Sequence, residues 1–251
     1  MSKKPSEVTI EGMKKIILKS GYLLEIDVAD ALRKNGWSVF SQYPYMDQKT
    51  GKVRLLDILA MKRVSKRFGV SLLIECKKAT RHGWAFSSVG KSKMEVQVPL
   101  ARLDYLVGKL QEFIDLPAVL EDVDRIDGFH PMNVETRVGT SCCIPPGHKD
   151  DFHEAVLQLL NSIRSVRDRM VTQMTFPIIV FDGPMWEFYR DAGELKVKEI
   201  EYLQYLSAML NEGMKGPILI DIVRFPFLPD FLNLVDSSVQ WLRKAPKKRK
   251  K

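Results

Sequence analysis

Glu25, Asp57, Glu75 and Lys77 are the residues of this chain whose types and spacing suit chemistry. Asp57 lies inside the apolar run LLDILAM, and Glu75 and Lys77 close the run VSLLIECKK. Each run reads as a buried strand that ends in charge. Side chains two apart in a strand share a face, so Glu75 and Lys77 point the same way and Cys76 points into packing. A short turn between the runs lets Asp57 lie across from Glu75. Two carboxylates held close and partly buried repel each other, and a divalent cation removes that repulsion. Hard oxygen ligands favour Mg²⁺ or Mn²⁺ over zinc, and the backbone carbonyl of Cys76 would add a further oxygen. Lys77 would orient or help deprotonate a water, or stabilise charge developing on a phosphate. Glu25 falls on one side of a helix with Tyr22, Ala29 and Leu32. An acid there is unexpected unless paired or linked to a metal, so Glu25 would hold a water or a second ion.

The bland account is a set of solvated ion pairs at strand ends, and ECKK alone fits it. Asp57 does not, because Leu55-Leu56 and Ile58-Leu59-Ala60-Met61 enclose it.

The elements that must position these residues follow from periodicity. Residues 10–19 predict a short helix. YLLEIDVADALRKNG predicts a second, with Leu24, Val28, Ala31 and Leu32 at helical spacing and Asn35-Gly36 as its stop. WSVFSQYP, RLLDILAMKR and VSLLIECKK predict three strands. The links DQKTGK and SKRFG are too short for crossover helices, so the strands form an antiparallel meander. Residues 79–150 read as an irregular insertion around one helix, RLDYLVGKLQEFIDL. DFHEAVLQLLNSIRSVRDRM predicts a helix, FPIIVFDG a strand, and MWEFYR an edge strand that hairpins from it across Gly183-Pro184. VKEIEYLQYLSAML is ambiguous, GPILIDIVRF is a strand, and PDFLNLVDSSVQWLRK is a closing helix. The expected fold is α/β, a mixed central sheet with flanking helices, in one domain over residues 1–251 with a basic tail at 243–251.

The order helix-Glu25, strand, strand-Asp57, strand-Glu75-x-Lys77 resembles the PD-(D/E)xK nuclease superfamily. Within it the chain is most similar to Mrr-like restriction proteins and archaeal Holliday-junction resolvases. The resemblance covers residues 20–80, and 150–182 if the later helix and strand complete the core. It matches Asp57 to the motif aspartate, Glu75 to the (D/E), Lys77 to the lysine, and Glu25 to a first-helix glutamate. Leu56 replaces the name-giving proline, and the second helix arrives some seventy residues late. The resemblance implies a restriction-endonuclease-like three-layer sandwich and Mg²⁺- or Mn²⁺-dependent hydrolysis of DNA, less often RNA. Catalysis would rest on Glu25, Asp57, Glu75 and Lys77, with Asp57, Glu75, Cys76 and Glu25 toward the metal.

Composition suits that expectation without carrying it. The 251 residues are 45% hydrophobic and 28% charged, with a formal net charge of +8. Positive excess is compatible with a polyanion partner. Lys78, Arg81, Lys91 and Lys93, with Trp84 between them, are candidate nucleic-acid contacts: lysines at phosphates, the indole near a base. The alternatives are a plain solvated loop and a Trp84 tucked into the core. His148 and His153 beside Asp150-Asp151 read as helix capping rather than a metal cluster. Three cysteines without regular spacing make no disulfide framework and fit a reducing, cytoplasmic setting. No leader or membrane span is expected. No Walker A or Rossmann glycine pattern appears, so an ATP- or NAD-driven reading lacks support. A homodimer would suit a two-strand cut. A non-catalytic nucleic-acid-binding or assembly protein that keeps the fold is the alternative.

Overall fold

Residues 9–48, 50–64, 69–79, 82–89, 138–167, 173–207 and 218–244 are described by a computed structural model of the protein. Two helices lead. In α1 (Ile10–Lys19), Thr9 caps the N-terminus through its hydroxyl, which accepts from the Gly12 N–H at 3.1 Å. In α2 (Tyr22–Lys34), Leu24, Val28, Ala29 and Leu32 form the buried stripe that periodicity requires, and Tyr22 is exposed rather than inward.

The predicted meander is present. Strands β1 (Ser38–Asp47), β2 (Lys52–Arg63) and β3 (Gly69–Lys78) pair antiparallel in sequence order. The turn after β1 is fixed by Asp47, which is buried and accepts from Thr50 N–H and from Arg54 Nε at 2.7 Å. Residues 69–76 of β3 are buried without interruption, the pattern of a strand covered on both faces.

The helix α3 (Asp151–Arg167) buries Phe152, Ala155, Val156, Leu159, Leu160 and Ile163 and packs across β1, β2, β3 and β6. Apart from Ala155, each of these side chains contributes about 1.5–3 kcal/mol by leaving water. Its N-cap is Asp150, whose carboxylate accepts from the His153 N–H at 3.1 Å. β6 (Gln173–Asp182) then runs parallel to β3, with Glu75 beside Ile179 and Lys78 beside Asp182. β10 (Ile218–Arg224) lies parallel to β6 on its other side. The closing helix α4 (Leu228–Lys244) contacts β10 and α2. Lys62 on β2 ties these helices together, donating to the Asn35 carbonyl at 3.0 Å and to Asp236 of α4 at 2.7 Å.

Beyond β10 the sheet continues through elements the sequence left irregular or ambiguous. Its order is β1-β2-β3-β6-β10-β9-β5-β4-β7-β8, where β4 is Trp84–Val89, β5 Val138–Cys143, β7 Met185–Asp191, β8 Glu194–Glu199 and β9 Tyr202–Ser207. The insertion expected to be irregular over residues 79–150 instead contains two regular strands, β4 and β5, which pair antiparallel. The helix expected at RLDYLVGKLQEFIDL lies outside the described residues, as does the basic tail beyond Lys244.

The expected hairpin from β6 to β7 does not form. β7 pairs parallel with β4 and antiparallel with β8 instead. The cause is a chain crossing at Gly83 and Gly183-Pro184, where Trp84 N–H donates to the Pro184 carbonyl at 3.1 Å. A Cβ on Gly83 would stand 2.4 Å from that same oxygen. The hairpin falls one step later, between β7 and β8. There Ala192 and Gly193 take φ of 48° and 87°, the left-handed pair of a two-residue turn. The whole is a mixed α/β fold, a central mixed sheet flanked by helices.

Candidate functional site

The β2–β3 ladder runs in register to Ile58↔Ile74 and stops, and its next rung would join Asp57 to Glu75. At that point a side chain takes over from the backbone. The Cys76 N–H donates to Asp57 Oδ2 at 2.8 Å, which fixes the carboxylate against the Glu75-Cys76-Lys77 segment. Lys77 Nζ stands 3.6 Å from Glu75 Oε2, as the two-residue period requires. The same ammonium donates to Gln158 Oε1 of α3 at 2.9 Å. Tyr45 on β1 is buried beside them, its hydroxyl directed at the Gln158 carbonyl at 3.4 Å.

Glu75 is the anomaly. It is 1% exposed, and neither carboxylate oxygen has a hydrogen-bond partner. Burial pushes its pKa well above the ordinary value, the Asp57 charge pushes further, and Lys77 only partly opposes them. Asp57 is also raised, first by burial, with the Cys76 N–H and Lys77 pulling the other way. Burial and the nearby Glu75 charge raise the Tyr45 phenol to about 12, so it stays a donor. Desolvation puts the Cys76 thiol well above its ordinary pKa, which leaves it no nucleophile.

Glu25 is drawn to the same place but held apart. Its Oε2 accepts from Gln42 Nε2 at 2.6 Å. Burial and then the Asp57 charge raise its pKa, against the Gln42 hydrogen bond and Lys77. Among the described residues no group of three or more His, Cys, Asp or Glu side chains is arranged to hold a metal. The acids that the β2–β3 register brings side by side are Asp57 and Glu75, and these are the residues that could hold a cation. Two neighbouring acids, the buried one with both oxygens lacking a hydrogen-bond partner, suit a hard divalent ion.

The expected nucleic-acid contacts fare differently. Lys78 sits next to the site, 3.4 Å from Asp182. Arg81, Lys91 and Lys93 lie outside the described residues. Trp84 is corrected: it is 0% exposed, stacked on Phe181 at 3.8 Å, and donates its Nε1–H to Asp151 at 3.0 Å. No base can reach it. Its burial follows from lying on β4 with an inward face shared by Phe86. His153 pairs with Asp150, and His82 with Asp151 and the His148 ring, beside the helix cap rather than around a metal.

No protein-family model matches this chain, and neither does any curated protein or solved structure.

Three participants escaped the sequence reading: Tyr45, Gln42 and Gln158. Gln158 had a signal, since it lies three residues after Ala155 and four before Ser162 on the buried stripe of α3. A polar residue there needs a partner. Gln42 had none, because its role depends on a backbone turn that its residue type does not announce.

Proposed function

We propose that the protein is a Mg²⁺- or Mn²⁺-dependent nuclease of the PD-(D/E)xK kind, with a restriction-endonuclease-like three-layer core, acting on DNA. The observation that carries this is Glu75: a buried carboxylate whose oxygens have no hydrogen-bond partner, beside a half-buried second carboxylate and a lysine 3.6 Å away. Leaving such a group unsatisfied costs several kcal/mol unless a cation is its partner. The element order α2, β1–β3, α3 and β6 supports the reading, as does the basic balance of +8.

Asp57 and Glu75 would hold the cation, with the carbonyl of Cys76, one residue beyond Glu75, as a further backbone oxygen. A divalent ion there supplies charge to offset a phosphodiester's developing negative charge and acidifies water. Lys77, steered by Gln158, would place its ammonium where the attacking water and phosphate oxygens meet. Lys78 would take an adjacent phosphate. Tyr45 keeps its proton and remains a donor near Glu75.

The test is cleavage of single-stranded, double-stranded and branched DNA, and of RNA, with Mg²⁺ or Mn²⁺. Asp57→Ala and Lys77→Ala should each lower the rate by about 10³-fold. Activity that both variants retain would defeat the proposal. Metal-independent binding without cleavage would favour a non-catalytic nucleic-acid-binding role.

A further inference from the structure

Gln42 occupies a conformation that its position does not call for. It lies in the middle of β1, yet its φ is +51°. The only other non-glycine residue with positive φ among those described is Ala192, in a tight turn where such a backbone is needed. The distortion faces the site: the β1–β2 pairing includes Ser41↔Ile58 and Tyr43↔Leu56 and omits the rung between them, Gln42 with Asp57. Glycine would take this φ without penalty, so what Gln42 adds is its carboxamide. That carboxamide reaches 17 positions back along the chain to donate to Glu25 at 2.6 Å. Backbone strain of this kind persists where surrounding structure enforces it, commonly beside functional groups.

We propose that Gln42 is a positioning residue that acts through Glu25, holding this acid beside the Asp57–Glu75 pair so that its charge draws a divalent cation without ligating it. The proposal rests on the cation-site reading. Without the hydrogen bond, Glu25 swings from Asp57, whose like charge repels it, toward water. With it, Glu25 stays within electrostatic range of Asp57 and Lys77. The left-handed φ at Gln42 lifts the side chain from the ordinary path of an edge strand, and so lets a short amide span the gap to α2.

The test is Mn²⁺ binding by titration calorimetry, with no nucleic acid present. Gln42→Asn is the decisive variant. Asparagine tolerates left-handed φ well, but its amide is one methylene shorter and cannot reach Glu25. Gln42→Asn and Glu25→Gln should each weaken Mn²⁺ binding by roughly three- to tenfold. The double variant should bind no more weakly than Glu25→Gln alone. Gln42→Gly should repeat the Gln42→Asn result, which separates lost reach from altered backbone. Additive losses in the double variant, or unchanged affinity in Gln42→Asn while Asp57→Asn abolishes binding, would overturn the role of Gln42 and leave the cation site standing. A wild-type protein that binds no Mn²⁺ would remove the cation site and this proposal together.

Discussion

β6 separates two strands that each bury an acid in an apolar run, Glu75 in LLIEC and Asp221 in LIDIV. They are 1% and 4% exposed, and β6 matches them to consecutive residues, Ile179 and Ile178. Side-by-side residues share a face, so the two acids point to opposite sides of the sheet. On one side Asp221 accepts from the Tyr202 hydroxyl at 2.9 Å and from Gln204 Nε2 at 3.3 Å. On the other Glu75 accepts from nothing. The two look alike as sequence and differ as chemistry. A buried acid with neutral donors is a structural element. One without donors, beside another acid, is a candidate site.

Removing the satisfied acid should cost the most stability. Asp221→Ala leaves the Tyr202 hydroxyl and the Gln204 amide short of an acceptor. It should destabilise the fold by about 2–3 kcal/mol in urea denaturation, while cleavage per folded molecule stays at the wild-type rate. A loss of cleavage at full stability would break the contrast.

Removing charge from the unsatisfied acid should do the reverse. The folded-state pKa of Glu75 is raised, as is that of Asp57. The stability they contribute is present below the ordinary carboxylate pKa and is lost as pH rises through the raised values. Cation-free protein should therefore weaken as pH rises above the ordinary carboxylate range, and Mg²⁺ should restore it. Glu75→Gln should flatten that slope and raise cation-free stability at the upper pH by on the order of 1–2 kcal/mol. Equal slopes in variant and wild type, read from thermal melts across pH, would place the electrostatic stress elsewhere.

The smallest effect sharpens the comparison. Gln158→Ala frees Lys77 from its guide without removing any charge. It should lower kcat about tenfold, equivalent to ~1.4 kcal/mol of barrier, with cation affinity held. A change in affinity instead would make Gln158 part of the ion's surroundings.

What the sequence disclosed follows the range of the interactions involved. α2, the β1–β3 meander, α3 and β10 were readable because local periodicity and turn residues set them, and Asp57 stood out because apolar neighbours enclosed it. The β7 pairing was misread because the crossing at Gly83 and Gly183 is a contact between segments far apart in sequence. Trp84 was read as a binding residue because a loop and a buried interior strand share the same composition. Its partners Phe181 and Asp151 lie on other elements. Gln42 and Gln158 remained hidden for a related reason: each acts by reaching a different element.

The parallel union of β3 with β6 also has a consequence for how the protein comes into being. Ser71 and Thr175, neighbours at 2.9 Å across that seam, are 104 positions apart in the chain. Contacts of such long range form late, because closing the loop costs entropy before any pairing rewards it. During synthesis Glu25, Asp57, Glu75 and Lys77 all emerge long before β6, with one edge of β3 still open and apolar. A chain ending before residue 173 would carry every one of those residues and lack the strand that buries Glu75. The burial of Glu75 is thus a product of the completed sheet, and its surroundings are complete only once β6 has paired with β3.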